Sequence, residues 1–221
     1  MIDFNGKAWK IGMWFGIPVY VDVAFIVLVA MCMLSTGSLL WGLVFAVLVG
    51  FSIVAHEFGH SLTARCFGFS TYKITLSALG GCAMMRGIPK VPWQEMLVAV
   101  AGPVVSLVLG VVGLSLSSFI ELDVIARFGY LNTGLAIFNL LPGFPMDGGR
   151  VLRAGLSWAM KNRSKATWWA MMVGRGMAIL LGALGVISIL AGIFNGLMML
   201  LIAWFIWKAG EQEYVASLYG H

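Results

Sequence analysis

Charge is what this sequence has least of. Lys, Arg, Asp and Glu make up 10% of its 221 residues, 61% are hydrophobic, and the mean hydropathy is +0.96. Soluble domains carry about 25% charged and about 45–50% apolar residues. So few charges cannot cover a water-facing surface without leaving one large apolar patch. So apolar a chain also lacks the composition of a disordered one. Both classes are excluded, and a polytopic membrane protein remains. At about 20 residues per helix, the chain has room for about six or seven spans and no separate soluble domain.

Cysteine is scarce too. Cys32, Cys66 and Cys82 are few, odd in number and set in apolar sequence, which excludes a disulfide framework. Linkers, repeats and low-complexity stretches are missing, so residues 1–221 are expected to form a single domain. The N-terminal segment lacks a small-residue cleavage site. Lys7 and Lys10 precede Pro18, and the first apolar run is expected to stay as an anchor.

Basic residues are absent from alternate connections. Residues 35–38 and 192–196 have none, and 119–127 has one arginine against Glu121 and Asp123. Lys7 and Lys10, then Arg65, Lys73, Arg86 and Lys90, then Arg150, Arg153, Lys161, Arg163 and Lys165 occupy the other side. Six spans with both termini in the cytoplasm satisfy the positive-inside rule at every loop. The net charge of +5 thus follows membrane sidedness and does not call for a nucleic-acid partner.

The hydropathy pattern supplies the elements. Trp9 and Trp14 read as interfacial anchors. Ile17, Val19, Val21 and Val23 alternate as a short strand does. Spans are expected over about 23–34, 39–66, 93–118 and 128–141, with a helical stretch over 149–160 and two more spans within 167–207. Residues 68–90 break the helical pattern with Gly68, Gly80, Gly81, Gly87 and Pro89, around the strand-forming run from Thr71 to Leu76. A β-hairpin or small sheet against the membrane is expected here, covered by protein or facing an aqueous cavity, because open sheet edges are not tolerated in lipid. The fold class is therefore an all-α polytopic membrane protein with about six transmembrane helices and a small membrane-associated sheet.

Ionisable groups inside a span are expensive and mark function by default. The second span contains His56-Glu57-Phe58-Gly59-His60, and two of the chain's three histidines lie in it. At i and i+4 two imidazoles share a helix face and can converge on one Zn²⁺, with Glu57 placed as general base. A hydrogen-bonded pair of buried histidines would share this spacing. The glutamate between them, costly in lipid, favours the metal.

Catalytic zinc takes three protein ligands and keeps an open position. The remaining histidine is His221. The best third ligand is Asp147, where Pro142, Gly143, Pro145, Gly148 and Gly149 break the helix. Irregular backbone at membrane depth belongs in a cavity or within protein. An Asp there would equally cap the helix starting near Gly149, and the pattern alone does not choose. At 1.5 Å per residue, His60 lies about 7 Å and His56 about 13 Å inward from Arg65. Asp147 precedes Arg150 and Arg153 on the same side, so the site is expected toward the cytoplasmic face.

These motifs resemble those of the site-2 protease family of intramembrane zinc metalloproteases. His56 to His60 fits H-E-x-x-H, and Asn139 to Gly148 fits N-x-x-P-x-x-P-x-D-G. The resemblance implies a single transmembrane protease domain with a catalytic core over about 39–160 and peripheral helices over about 19–36 and 167–208. It implies one zinc per chain held by His56, His60 and Asp147, with Glu57 activating water. Asn139 would steady the oxyanion, although an interhelical hydrogen bond is the other reading of that amide. Gly80-Gly81 and Ala83-Met84-Met85 resemble the strand region thought to pair with unwound substrate. Ala101-Gly102-Pro103-Val104-Val105-Ser106 resembles A-G-P-x-x-N, with Ser106 in place of Asn. No PDZ insertion or CBS domains are evident, as in the minimal branch.

Implied partners are the bilayer and transmembrane protein substrates, often regulators already trimmed by another protease. The compact loops point to a prokaryotic cell membrane. Oligomeric state is not legible. The rival classes are a metal-ion transporter and a non-catalytic membrane scaffold. The polar groups cluster near one face instead of crossing the bilayer, which disfavours the first. The intact Glu57 disfavours the second.

Overall fold

The computed structural model describes residues 8–35, 38–77, 80–87, 89–120, 122–192 and 196–219. The expectations placed on Lys7, Glu121 and His221, and on parts of the connections 35–38 and 192–196, lie outside these residues, as does the side chain of Cys32. The elements in chain order are β1 (Trp9–Trp14), β2 (Ile17–Val21), α1 (Val23–Ser35), α2 (Leu39–Cys66), β3 (Ser70–Ser77), β4 (Gly80–Arg86), α3 (Pro92–Ser117), α4 (Asp123–Asn139), α5 (Asp147–Met160), α6 (Arg163–Leu190) and α7 (Gly196–Leu218). The chain divides into two compact units. One comprises Ile2–Lys90 and Ala101–Ile137, the other Val91–Val100 and Phe138–His221.

In the first unit the strands form one sheet in the order β1-β2-β3-β4. The alternating run from Ile17 is a strand, with Ile17 and Val19 fully buried. Residues 9–14 differ from expectation. They are a strand too, paired antiparallel to β2 across a turn at Phe15 and Gly16, both with positive φ. Such primed turns match the twist of a two-residue hairpin. Because Trp9, Ile11, Met13 and Trp14 are all exposed, burial left no alternation to read in this strand. β2 pairs parallel with β3, and β3 antiparallel with β4, so the hairpin or small sheet expected within residues 68–90 is half of a four-stranded sheet. A register shift between Thr71 and Lys73 changes the parity of β3, so that Thr71 is buried on one side of the bulge and Ile74 and Leu76 on the other.

The sheet packs on α2. Ile17, Val19, Ile74 and Leu76 meet Ala46, Val49, Ile53 and Phe58 in one apolar core. Asp22 caps α1 by accepting the Phe25 N–H at 2.9 Å. Arg65, near the end of α2, donates to the Phe15 carbonyl at 2.7 Å and ties the first hairpin to that helix. Small residues let the helices of this unit approach closely, as membrane bundles favour. A Cβ on Gly59 would stand 2.7 Å from the Ala101 carbonyl oxygen, and one on Gly113 would stand 2.9 Å from the Gly129 Cα. Asn132 of α4, fully buried, donates to Ser52 of α2 at 2.9 Å.

In the second unit α6 and α7 lie antiparallel. Gly185 meets Gly196 near one end, and Ser164 donates to the Ser217 carbonyl near the other. At the Ser164 end, four charged side chains join four helices. Arg153 of α5 is 4% exposed and bonds Glu95 of α3 at 2.5 Å and Glu213 of α7 at 2.9 Å. Arg163 of α6 bonds Glu95 at 2.6 Å. Sequence alone marks Arg153 only as a cytoplasmic charge. Its burial comes from pairing, and its guanidinium also lies over the Phe144 ring.

Three helices among the described residues, α2, α3 and α6, are long and apolar enough to cross a membrane. The 13 residues of α1 and the 14 of α5 extend only about 20 Å, short of a hydrocarbon core of about 30 Å. Helix α7 has the length, and its second half carries Lys208, Glu211 and Glu213. Helix α4 begins at Asp123, ahead of the hydropathy signal, because Asp123 supplies favourable charge to its first turn. Much of α6 faces outward through Ile179, Leu180, Leu184, Ile187 and Ile189.

Burial pushes the Glu213 carboxyl up, but Arg150, Arg153 and Arg163 together outweigh it, so its pKa lies below the ordinary 4.5. A lowered carboxylate contributes stability that is complete above its unfolded pKa and is lost as pH falls through the folded one. The melting midpoint of detergent-solubilised protein is therefore expected to drop below pH 4.5, and Glu213→Gln to flatten that drop. An identical acid profile in the variant would refute the assignment.

Candidate active site

The geometry starts from α2, where His56 and His60 are one turn apart and each 4% exposed. Their Nε2 atoms face one another at 3.1 Å, with ring planes inclined at 79°. Two nitrogens bound tetrahedrally to zinc at about 2.0–2.1 Å would stand about 3.3 Å apart. The pair therefore fits one such cation between them. A second observation agrees. A Cβ on Gly102 of α3 would overlap His60 Nε2 and come within 2.8 Å of His56 Nε2, so the glycine leaves the space before both nitrogens open.

The far side of His56 is also engaged. Its Nδ1 lies 2.9 Å from Ser106 Oγ, and Ser106 is fully buried. Gly102 and Ser106 are themselves i and i+4, so one face of α3 presents first a hollow and then a hydroxyl to the pair. Sequence reasoning marks Ser106 only as a departure from a family pattern. The i, i+4 spacing from Gly102 is the signal that points to it.

Glu57, between the histidines, is half-buried and lies against β4, since a Cβ on Gly81 would stand 2.5 Å from Glu57 Cγ and 2.9 Å from its Oε1. Thus His56, Glu57, His60, Ser106, Gly102 and the edge strand β4 all belong to the first unit.

Asp147 and Asn139 belong to the second unit. Asn139 is the last residue of α4, and Asp147 is the buried first residue of α5. The segment between them turns tightly, with Phe144 fully buried and a cis Phe144–Pro145 bond. A Cβ on Gly148 would overlap the Leu140 and Leu141 carbonyl oxygens, and one on Gly149 would stand 2.6 Å from the Gly143 carbonyl carbon. The two glycines after Asp147 are what let the turn fold back over the start of α5.

A family model for peptidase family M50 matches residues 44–127 and 117–183. The chain belongs to this family, the site-2 proteases. A solved site-2 protease from Methanocaldococcus jannaschii is similar at a TM-score of 0.71 and 33% identity, over 94% of this chain and 95% of that one. A zinc metalloprotease of the same organism is 34% identical over 96% of this chain and 61% of its own length. A Synechocystis protein with a provisional zinc-metalloprotease name is 38% identical over 92% of this chain and 59% of its own. The chain thus spans about three-fifths of the length of these two curated relatives.

The hollow at Gly102 can be tested against a glycine with free surroundings. Gly102→Ala is expected to overpack the ring pair and destabilise the protein by about 1–3 kcal/mol. Gly134→Ala, where no atom lies within 4 Å of a Cβ, should instead gain up to about 1 kcal/mol of helix propensity. Reversible denaturation in mixed micelles gives both values, and equal effects would remove the packing argument.

Proposed function

We propose that this protein is an intramembrane zinc metalloprotease that hydrolyses peptide bonds within or near transmembrane segments of membrane proteins. The observation that carries the reading is the buried imidazole pair, Nε2 to Nε2 at 3.1 Å, with Glu57 between its members.

His56 and His60 supply two nitrogen ligands, and Asp147 supplies an oxygen. Two nitrogens, one carboxylate and an open position are a catalytic zinc set. Support for Asp147 comes from its burial and from the broken backbone that carries it. Zinc, one ion per chain, would be held by these residues and would supply Lewis acidity there. Glu57 takes the proton of the attacking water on its carboxylate and delivers it to the leaving amide nitrogen as the C–N bond breaks. The Asn139 amide donates to the oxygen that gains charge. An unwound substrate segment adds as a strand to the edge at β4, beside Glu57.

The same reading places the chain in a prokaryotic cell membrane with six spans, both termini in the cytoplasm and the site toward that side. It is supported by the distribution of Lys and Arg among the connections. The substrates it implies include membrane proteins already trimmed by another protease.

Glu57→Gln is expected to lower cleavage of a model membrane protein by at least about 100-fold while keeping the zinc content of the wild type. Full cleavage by the variant would remove Glu57 from the mechanism. Ion flux in vesicles, with metal bound and no proteolysis by the wild type, would instead favour a transporter. Asp147→Ala is expected to lower zinc stoichiometry measured by elemental analysis. Unchanged metal content would mean that another group completes the site.

A further inference from the structure

A metal-binding imidazole has two nitrogens, and the one that binds must present a lone pair. A neutral histidine carries one proton, shared between two tautomers of similar energy in water. Which tautomer prevails inside a protein is set by the partner of the other nitrogen. At His56 that partner is Ser106: Oγ lies 2.9 Å from Nδ1, and both residues are withdrawn from solvent.

We propose that Ser106 is a positioning residue for the metal centre. Its hydroxyl oxygen accepts the His56 Nδ1–H, which fixes the ring orientation and leaves the Nε2 lone pair turned toward His60. The inference rests on the reading of His56 as a metal ligand.

Three features of the structure carry it. The contact joins α3 to α2, fifty residues apart in sequence, so it aligns the ring from outside its own helix. Gly102, one turn before Ser106, opens the space in front of the same ring, so a single face of α3 both admits the cation and orients its ligand. The serine proton need not compete for Nδ1, because a helical serine can turn its O–H toward a carbonyl of the preceding turn. Without the hydroxyl, the His56 Nδ1–H would lose the acceptor that holds this tautomer, and the proton could move to the nitrogen that has to bind. Groups that orient metal-bound histidines in this way typically change metal affinity by about 10- to 100-fold.

The test uses the full chain in detergent, stripped of metal and titrated with zinc against a chromophoric chelator. Ser106→Ala and Ser106→Val are expected to weaken zinc binding by about 10- to 100-fold. Ser106→Thr, which matches valine in shape and restores the oxygen, should stay within about 3-fold of the wild type, because the acceptor is what sets this affinity. Melting midpoints of the metal-free proteins should not follow this order. Equal zinc affinity of the valine and threonine variants would overturn the proposal, as would losses that merely track the metal-free midpoints. His56→Ala separates the two levels of inference. If it loses zinc while Ser106→Ala binds normally, the ligand reading stands and the role of Ser106 falls. If His56→Ala binds zinc like the wild type, the ligand reading itself fails.

Discussion

Two imidazoles facing each other at 3.1 Å inside a helix of a membrane protein form an arrangement that the rest of the first unit has to sustain. Polar rings buried in such a helix, each 4% exposed, are withdrawn from bulk solvent, so each must find partners within the site. The first unit meets that demand with α3. The demand in turn explains why α3 carries glycine and serine where lipid-facing helices carry leucine. Apolar burial on α2 is handled separately, on the side that meets the sheet through Val49, Ile53 and Phe58.

Close approach of helices is the second requirement. The interior of a bilayer offers no strong hydrophobic drive between helices, so contact area and hydrogen bonds decide association. Gly59 against Ala101, Gly113 against Gly129 and the Asn132–Ser52 bond supply both in the first unit. In the second unit Gly143 against Gly174 and Gly185 against Gly196 do the same. The chain's 28 glycines are thus not mainly loop residues, and their concentration within helices is part of how so apolar a sequence packs.

The parts of this fold legible in sequence are those whose cause is local. Helix α2 lies over residues 39–66, as its hydropathy predicts, and the spacing of His56 and His60 already puts them on one face. The alternation read from Ile17 to Val23 is a strand as far as Val21, beyond which Asp22 caps α1 and Val23 begins that helix. What is not legible depends on distant partners. Strand β1 has no buried face to leave a pattern, and the parallel pairing of β2 with β3 joins segments separated by α1 and α2. Arg153 looks like any cytoplasmic arginine until Glu95 and Glu213 are seen around it. Ser106 reads as the loss of an asparagine until His56 is placed beside it. The proline and glycine break around Asp147 is plain in sequence, but local spacing cannot say whether the acid caps α5 or binds a cation.

The charge cluster of the second unit bears on how this protein can change over evolutionary time. Glu95, Arg153, Arg163 and Glu213 come from four helices, and removal of either buried member, Glu95 or Arg153, leaves the other buried with one of its two opposite charges gone. A lineage cannot easily cross that intermediate one codon at a time. The four sites are therefore expected to drift as a block, kept together or exchanged together for apolar side chains, while the lipid-facing residues around them vary freely.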